Sequence, residues 1–215
     1  MQITINAAMT VDGKIATTHG DSTISSKQDK KRVHKLRSSV DAIIVGVTTV
    51  LVDNPRLTVR FVKNKEKDPA RIIVDSTCRI PFESKILQTA SKIKTIVAVT
   101  KRAPYDKIHK IKDTGAMVIT AGTETVDLVE LFSILKKMGF KKFLVEGGGE
   151  LNWSLLQLGI VDQLIVTIAP RIVGGRAATT LVEGDGYTKI SEGLKMELKK
   201  VLRQDNGELV LCYKI

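Results

Sequence analysis

Five short, largely apolar runs mark the middle of the chain, at residues 41–46, 71–74, 95–99, 116–119 and 143–145. A strand that is apolar at successive positions has no solvent face and must be covered on both sides. Helical candidates lie between the runs, at about 104–113 and 126–138. In the second, Leu128, Leu131, Phe132 and Leu135 share one face and Gly139 stands at the C-cap. Strands that alternate with helices predict an α/β fold with a mostly parallel central sheet and helices on both faces. The pattern changes late in the chain, where residues 161–168, 194–202 and 208–213 read as strands. Asp205-Asn206-Gly207 between the last two is a hairpin signal, so an antiparallel C-terminal hairpin finishes the sheet. No repeat, linker or shift in composition divides the 215 residues, which predicts a single domain over 1–215.

The N-terminal part obeys the same logic. Residues 2–8 alternate as a strand and lead into Asp12-Gly13, which on spacing alone is a plain turn. Ser25 followed by Gln28 is a capping-box pattern, predicting a helix through about Arg37. Its apolar stripe is thin (Val33, Leu36, Val40), and Lys30, Lys31, Arg32, Lys35 and Arg37 make the remaining surface basic. One or two of these cations could meet a phosphate. Residues 48–55 form a short helical turn stopped by Pro55, Leu57–Arg60 is extended, and residues 63–70 are a polar excursion.

The stretch from Phe143 to Trp153 carries the strongest local signal for a ligand. It reads as a strand, the turn Gly147-Gly148-Gly149, and a helix with Leu151, Leu155 and Leu158 on its periodic positions. Glycines permit positive φ and leave no side chain between backbone and ligand. The first amides of the helix, at the positive end of its dipole, could hold a pyrophosphate. A tight connection without a ligand fits the same residues, and both readings stay open. The spacing is neither G-x-G-x-x-G nor G-x-x-x-x-G-K-[ST]. Glu146, at the carboxyl end of a strand beside the turn, lies where open α/β sheets place ligands.

Composition excludes several classes. No apolar run reaches the roughly 20 residues of a membrane helix, and the N-terminus lacks a basic flank and an apolar leader core, so the expected compartment is the cytoplasm. Cys78, Cys212 and the three histidines have no ligand-like spacing, which predicts no protein metal site. The net charge of +11 comes with only 4% aromatic residues, and lysines alternate with acids as in Lys65-Glu66-Lys67-Asp68. That pattern suits phosphorylated small molecules and not nucleic acid, which calls for clustered cations and stacking rings.

Several stretches in order carry a family resemblance: Asn6–Ala16; Asp41–Gly46 with Thr49, Asp53, Pro55 and Leu57–Arg60; Val74-Asp75-Ser76 with Arg79; Val145–Gly149; and Ala169–Gly175. Together they resemble the riboflavin-biosynthesis reductase family in its stand-alone archaeal and fungal form, over nearly the whole chain. The resemblance implies a dihydrofolate-reductase-like fold and a homodimer. It also implies NADPH-dependent reduction, with hydride delivered to C1′ of the sugar. The substrate would be 2,5-diamino-6-ribosylamino-4(3H)-pyrimidinone 5′-phosphate, whose ribosylamino group becomes ribitylamino. Ala7, Thr49 and Asp53 would line the nicotinamide end of the cofactor, and Ser76, Thr77, Cys78 and Arg79 the adenosine end with its 2′-phosphate. Gly147, Gly148, Gly149 and Glu150 would carry the pyrophosphate. Asp21, Arg37, Leu57, Arg60 and Glu146 would meet substrate. The bacterial fused enzymes usually carry a lysine where this chain has Asn6 and an aromatic residue where it has Thr23, departures that fit the archaeal branch.

Glu146 and Asp53 are the two acids at element ends beside glycine or proline turns, so they are the candidate proton donors. An Asx-type turn before Pro55 accounts equally for Asp53. Arg37 and Arg60 suit a dianionic 5′-phosphate, since a guanidinium fork binds it bidentately. Alternative readings are a dihydrofolate-reductase-like enzyme on another pteridine or pyrimidine, and a non-catalytic phosphometabolite- or nucleic-acid-binding domain. No H-x-E with P-C-x-x-C occurs, and the chain begins at the reductase strand. No fused zinc deaminase is therefore expected; the resemblance to the archaeal and fungal branch, where reduction precedes deamination, implies the diamino pyrimidinone as substrate.

Overall fold

The computed structural model describes residues 1–62 and 68–215. The polar excursion expected over 63–70 thus lies, at residues 63–67, outside the described residues. The chain forms two compact units: Met1 with His34–Leu144, and Gln2–Val33 with Val145–Ile215.

In the first unit the apolar runs become parallel strands. These are β2 (Ala42–Gly46), β3 (Ala70–Val74), β4 (Thr95–Val99) and β5 (Met117–Thr120), each paired in parallel with the next. β6 (Lys142–Val145) takes its place beside β2, giving the order β5-β4-β3-β2-β6. Every residue of β4 is buried, as a strand covered on both faces requires. Asp41 fixes β6: one carboxylate oxygen accepts from the amides of Lys141 (2.7 Å) and Lys142 (2.8 Å), and the Asp41 amide donates to the Lys142 carbonyl (2.9 Å). The helices of this unit include α2 (Val47–Asp53), α3 (Tyr105–Asp113) and α4 (Leu128–Lys137). α4 buries Leu128, Leu131, Phe132 and Leu135, is capped by the Asp127 carboxylate on the Glu130 amide (2.9 Å), and is followed by Gly139 at φ +91°.

Arg71 interrupts this apolar interior. It is the second residue of β3 and has no solvent exposure. Its guanidinium donates to Thr95 Oγ1 (2.6 Å), Thr89 Oγ1 (2.7 Å), the Ile86 carbonyl (2.9 Å) and the Arg56 carbonyl (3.3 Å). Burial pulls its pKa down to about 10, so the group remains a cation at neutral pH. One fixed fork of donors thereby ties the β3–β4 connection and the start of β4 to the Arg56 segment.

In the second unit β1 (Gln2–Thr10) pairs in parallel with β7 (Gln163–Ala169). β7 pairs antiparallel with β9 (Leu209–Lys214), and β9 with β8 (Glu197–Arg203), giving β1-β7-β9-β8. The hairpin turns at Asp205-Asn206-Gly207, with Gly207 at φ +86° and its amide on the Gln204 carbonyl (3.0 Å). α5 (Gly149–Gln157) comes directly after the glycine turn. The fold is thus α/β with a mostly parallel central sheet and an antiparallel C-terminal hairpin.

Helix α1 (Lys27–Ser38) departs from expectation in two ways. Its cap is Ser26 and not Ser25: the Ser26 hydroxyl accepts from the Asp29 amide (3.1 Å), while Ser25 donates to the Asp29 carboxylate (2.7 Å). Its inner face is also polar. Asp29 is fully buried and accepts from Arg32 Nε (2.7 Å) and Thr167 Oγ1 (2.8 Å), and Arg32 donates on to Asn6 Oδ1 (2.8 Å). Arg32, expected on a solvated face, is the half-buried partner of buried Asp29 in an ion pair. Leu57–Arg60 is not an extended strand either, because Leu57 takes φ +50°. Leu158 is exposed at the end of α5, and Leu156 is buried in its stead.

Candidate functional site

Two loops of the first unit leave the same edge of its parallel strands. Gly46 and Val74 are register partners at the carboxyl ends of β2 and β3. The chain beyond Gly46 is α2, carrying half-buried Thr49 and exposed Asp53. Asn54 closes α2 in the left-handed region, with its amide on the Val50 carbonyl (3.0 Å) and its side-chain oxygen accepting from the Lys85 amide (2.8 Å). The chain beyond Val74 is the turn Asp75–Arg79. Such an edge is where open α/β sheets place ligands.

Asp75 organises that turn from inside. It has no solvent exposure, and one oxygen accepts from the Ile80 amide (2.8 Å). The other oxygen lies 4.0 Å from Arg79 Nε and makes no hydrogen bond. Arg79 itself remains exposed. Ser76 is pinned from β4, since the Thr100 amide (3.1 Å) and hydroxyl (2.8 Å) both donate to its carbonyl. Cys78 takes φ +57° with a buried thiol whose pKa is pushed up to about 11, chiefly by burial and then by the Asp75 carboxylate. It therefore offers a ligand its backbone and not a thiolate. Lys107 Nζ approaches the Cys78 carbonyl (3.4 Å). The contacts of Thr100 and Lys107 with this turn were not legible in the sequence, because neither residue belongs to a motif.

Leu57, expected at the substrate, is a core residue only 2% exposed. The residues just beyond it gather cations. Arg37 Nη1 donates to the Thr58 carbonyl (3.0 Å) and Arg60 Nη1 to the Thr58 hydroxyl (2.7 Å). The Arg60 pKa is lowered by partial burial and then by the neighbouring guanidiniums of Arg37 and Arg56, against Asp68, which raises it.

In the second unit, Glu146 succeeds β6 and is half-buried, and half-buried Ala7 lies on β1 in register with Val166. The three glycines serve different ends. Gly147 alone has positive φ (+91°), and a side chain built there would meet open space. Gly148 is extended at φ −80° and ψ −166°. The positive φ that glycine permits in this turn is thus used at Gly147 and not at Gly148. Gly149 opens α5 where a Cβ would lie 2.7 Å from the Thr180 carbonyl oxygen and 2.7 Å from Glu183 Cγ. Its missing side chain makes room for the 180–184 segment. That segment is tied to α5 by Asn152 Nδ2 on the Leu181 carbonyl (2.8 Å), and by Gly184, whose Cβ would overlap the Trp153 indole. Glu150 is exposed, so it would serve an anion only through its amide.

Asp12, read from sequence as part of a plain turn, is a clasp. Its carboxylate accepts from the Thr10 hydroxyl (2.6 Å) and from the amides of Gly174 (2.7 Å) and Val173 (3.2 Å). The Thr10 hydroxyl first, and then the Gly174 amide, lower its pKa to about 2. Asp21 is exposed and accepts from the Thr23 amide (2.9 Å); Thr23, by hydroxyl and amide, and then Arg171, hold its pKa below the usual range.

Known proteins share this outline. Residues 1–210 match the RibD C-terminal domain family. The chain is 45% identical, over 92% of its length and 91% of the relative's, to 2,5-diamino-6-ribosylamino-4(3H)-pyrimidinone 5′-phosphate reductase of Methanothermobacter thermautotrophicus. It is 39% identical to the protein of that name in Aquifex aeolicus, over 92% and 89% of the two lengths. Among solved structures it is similar to the riboflavin biosynthesis reductase of Saccharomyces cerevisiae, with TM-score 0.73 and 26% identity over 99% of this chain and 89% of the yeast chain. With a shared fold and a match to these reductases over about nine-tenths of each chain, the chain belongs to the RibD C-terminal domain family.

Proposed function

We propose that residues 1–215 act as one NADPH-dependent reductase domain that converts 2,5-diamino-6-ribosylamino-4(3H)-pyrimidinone 5′-phosphate to its ribitylamino form in riboflavin biosynthesis. The observation that carries the reading is the 45% identity to a reductase of that name along nine-tenths of both chains. The residues present suit the cofactor. Arg79 is exposed with its guanidinium near buried Asp75, so Asp75 aims the cation and does not itself face the cofactor ribose. That arrangement favours a 2′-phosphate over a bare ribose hydroxyl.

In the first unit we assign Ser76, Thr77, the Cys78 backbone and Arg79 to the adenosine end, and Thr49 and Asp53 to the nicotinamide end. Arg37 and Arg60 meet substrate at its phosphate, while the Leu57 side chain stays in the core behind them. In the second unit we assign Ala7 to the nicotinamide end, the Gly147–Glu150 amides to the pyrophosphate, and Asp21 and Glu146 to substrate. When bound, NADPH would supply the hydride that C1′ of the sugar accepts. A proton must also reach the nitrogen of the ring-opened C=N group, so that hydride and proton together saturate that bond. Glu146 or Asp53 delivers it, and a carboxylate there also stabilises the iminium before hydride arrives. A homodimer is supported by edge strand β8, whose seven residues are all exposed, Leu198, Val201 and Leu202 among them. The cytoplasm is the expected compartment for such a biosynthetic step.

The test is kcat/KM, monitored by loss of reduced-nicotinamide absorbance, on the diamino pyrimidinone and on its deaminated uracil counterpart. A pocket that pairs with the 2-amino group rejects the oxo analogue, because acceptor then faces acceptor. Preference for the uracil form would overturn the substrate assignment. No oxidation of NADPH with either compound would overturn the enzyme reading.

A further inference from the structure

Residues 58–60 have no strand partner among the described residues. Three successive residues each give a backbone group to a side chain: the Thr58 carbonyl to Arg37 (3.0 Å), the Val59 amide to Asp68 Oδ1 (2.7 Å), and the Arg60 amide to His34 Nδ1 (2.8 Å). His34 and Arg37 are three apart on α1 and so share one face of it. His34 is only 4% exposed, and the ring of Phe61 meets it edge-on at 4.5 Å. The loop is therefore over-determined at the residue whose guanidinium shares its surroundings with those of Arg37 and Arg56. Three guanidiniums thus lie near one another with the Asp68 carboxylate also in their surroundings, and a dianionic phosphate suits such a cluster.

We propose that His34 is a positioning residue for the substrate phosphate: its unprotonated Nδ1 fixes the Arg60 backbone, and so aims the Arg60 guanidinium. The proposal rests on the phosphorylated substrate proposed above. An acceptor is required at Nδ1 because the Arg60 N–H points at it, and a proton there would set donor against donor. The imidazole thus acts in the form that keeps its Nδ1 lone pair. His34 touches neither the cofactor nor the reacting carbon in this role, so binding of phosphate should feel its loss and the chemical step should not.

Variants separate this from a merely structural histidine. Asn carries its amide oxygen near the place of Nδ1, whereas Gln carries it a bond further out. His34→Leu and His34→Gln should raise KM for the phosphorylated substrate by about tenfold or more, with kcat changed by less than about twofold, the size of effect expected when one charged phosphate contact is misaligned. KM for the dephosphorylated substrate and the affinity for NADPH should not move. His34→Asn should recover most of the loss. An equal rise in KM for both substrates, no rise, or an Asn variant no better than the Gln variant would each overturn the proposal. Should the Leu variant fail to fold, the Asn and Gln pair decides alone. If the wild-type protein turns over neither ribosylaminopyrimidine phosphate, the functional reading fails on its own. Calorimetric titration of inorganic phosphate then decides the role of His34. Affinity kept in the Asn variant and lost in the Gln variant supports it, and any other ranking overturns it.

Discussion

Replacing Arg71 by methionine tests how a lone cation is tolerated within an apolar strand. The side chain is fully buried, and three of its bonds are short: 2.6 Å to Thr95, 2.7 Å to Thr89 and 2.9 Å to Ile86. Hydrogen bonds from a charged donor contribute about 1.5–3 kcal/mol each, so the gross loss is on the order of 5–9 kcal/mol. Two effects work against it. Burial has already lowered the Arg71 pKa to about 10, showing that desolvation takes back part of the gain. Methionine also fills the space with an apolar chain, recovering about 1.5–3 kcal/mol. The acceptors keep other partners: Thr95 donates to the Ile93 carbonyl (2.8 Å) and Thr89 to the Lys85 carbonyl (2.7 Å). A net loss of about 2–4 kcal/mol remains, comparable with breaking a buried charged network. At roughly 2–4 °C per kcal/mol for a chain of this size, Tm should fall by about 5–15 °C. Urea unfolding at constant m-value gives the free energy directly. A loss below about 1 kcal/mol would refute the reasoning, since the bonds would then do no more than balance desolvation. Because the Arg56 carbonyl also leans on Arg71, loop 56–60 should loosen too, seen as faster amide exchange there.

The geometry fixes three further outcomes. The Asp12 pKa is depressed from 3.8 to about 2, so its clasp on Val173 and Gly174 holds above pH 3.8 and is released as pH falls towards 2. The Gly174 amide resonance should titrate in that window, and Asp12→Asn should abolish the titration. Gly149→Ala puts a methyl group 2.7 Å from the Thr180 carbonyl; overpacking of this kind costs about 1–3 kcal/mol, so melting temperature and NADPH affinity should both fall, and an unchanged affinity would detach this turn from cofactor binding. Arg79→Ala should lower the NADPH-to-NADH preference by about tenfold or more, measured as the ratio of dissociation constants, whereas an unchanged ratio would remove Arg79 from the 2′-phosphate.

The strands of the first unit were legible because parallel strands covered on both faces need apolar residues at nearly every position, and the runs at 41–46, 71–74 and 95–99 supply them. The hairpin was legible through Asp205-Asn206-Gly207, where backbone chemistry is local. Asp29 and Arg32 were not. Charged residues on a helix read as solvated unless one knows that Thr167 and Asn6 wait opposite, far away in sequence. Neighbouring serines blurred the helix cap, since Ser25 and Ser26 both have a suitable residue three positions on. Within the glycine turn, composition shows that glycine is required without telling which residue has positive φ and which yields space to another segment. The role of His34 was hidden for a related reason: its partner is a backbone amide, and backbone amides leave no trace in a sequence.

The clasp of Asp41 on Lys141 and Lys142 also bears on how quickly the first unit reaches its fold. β2 and β6 are neighbours in the sheet, yet the residues that join them are 100 positions apart in the chain. Closing a loop of that length costs about 4 kcal/mol of chain entropy before the contact returns anything. β3, β4 and β5 all lie inside the loop, each beside the strand that precedes it in sequence, so they can assemble on β2 step by step with shorter closures. β6 then docks as the late, non-local event, onto an edge of β2 that stays open in the meantime. Substituting Asp41 should therefore speed unfolding far more than it slows folding, because its bonds form after the transition state.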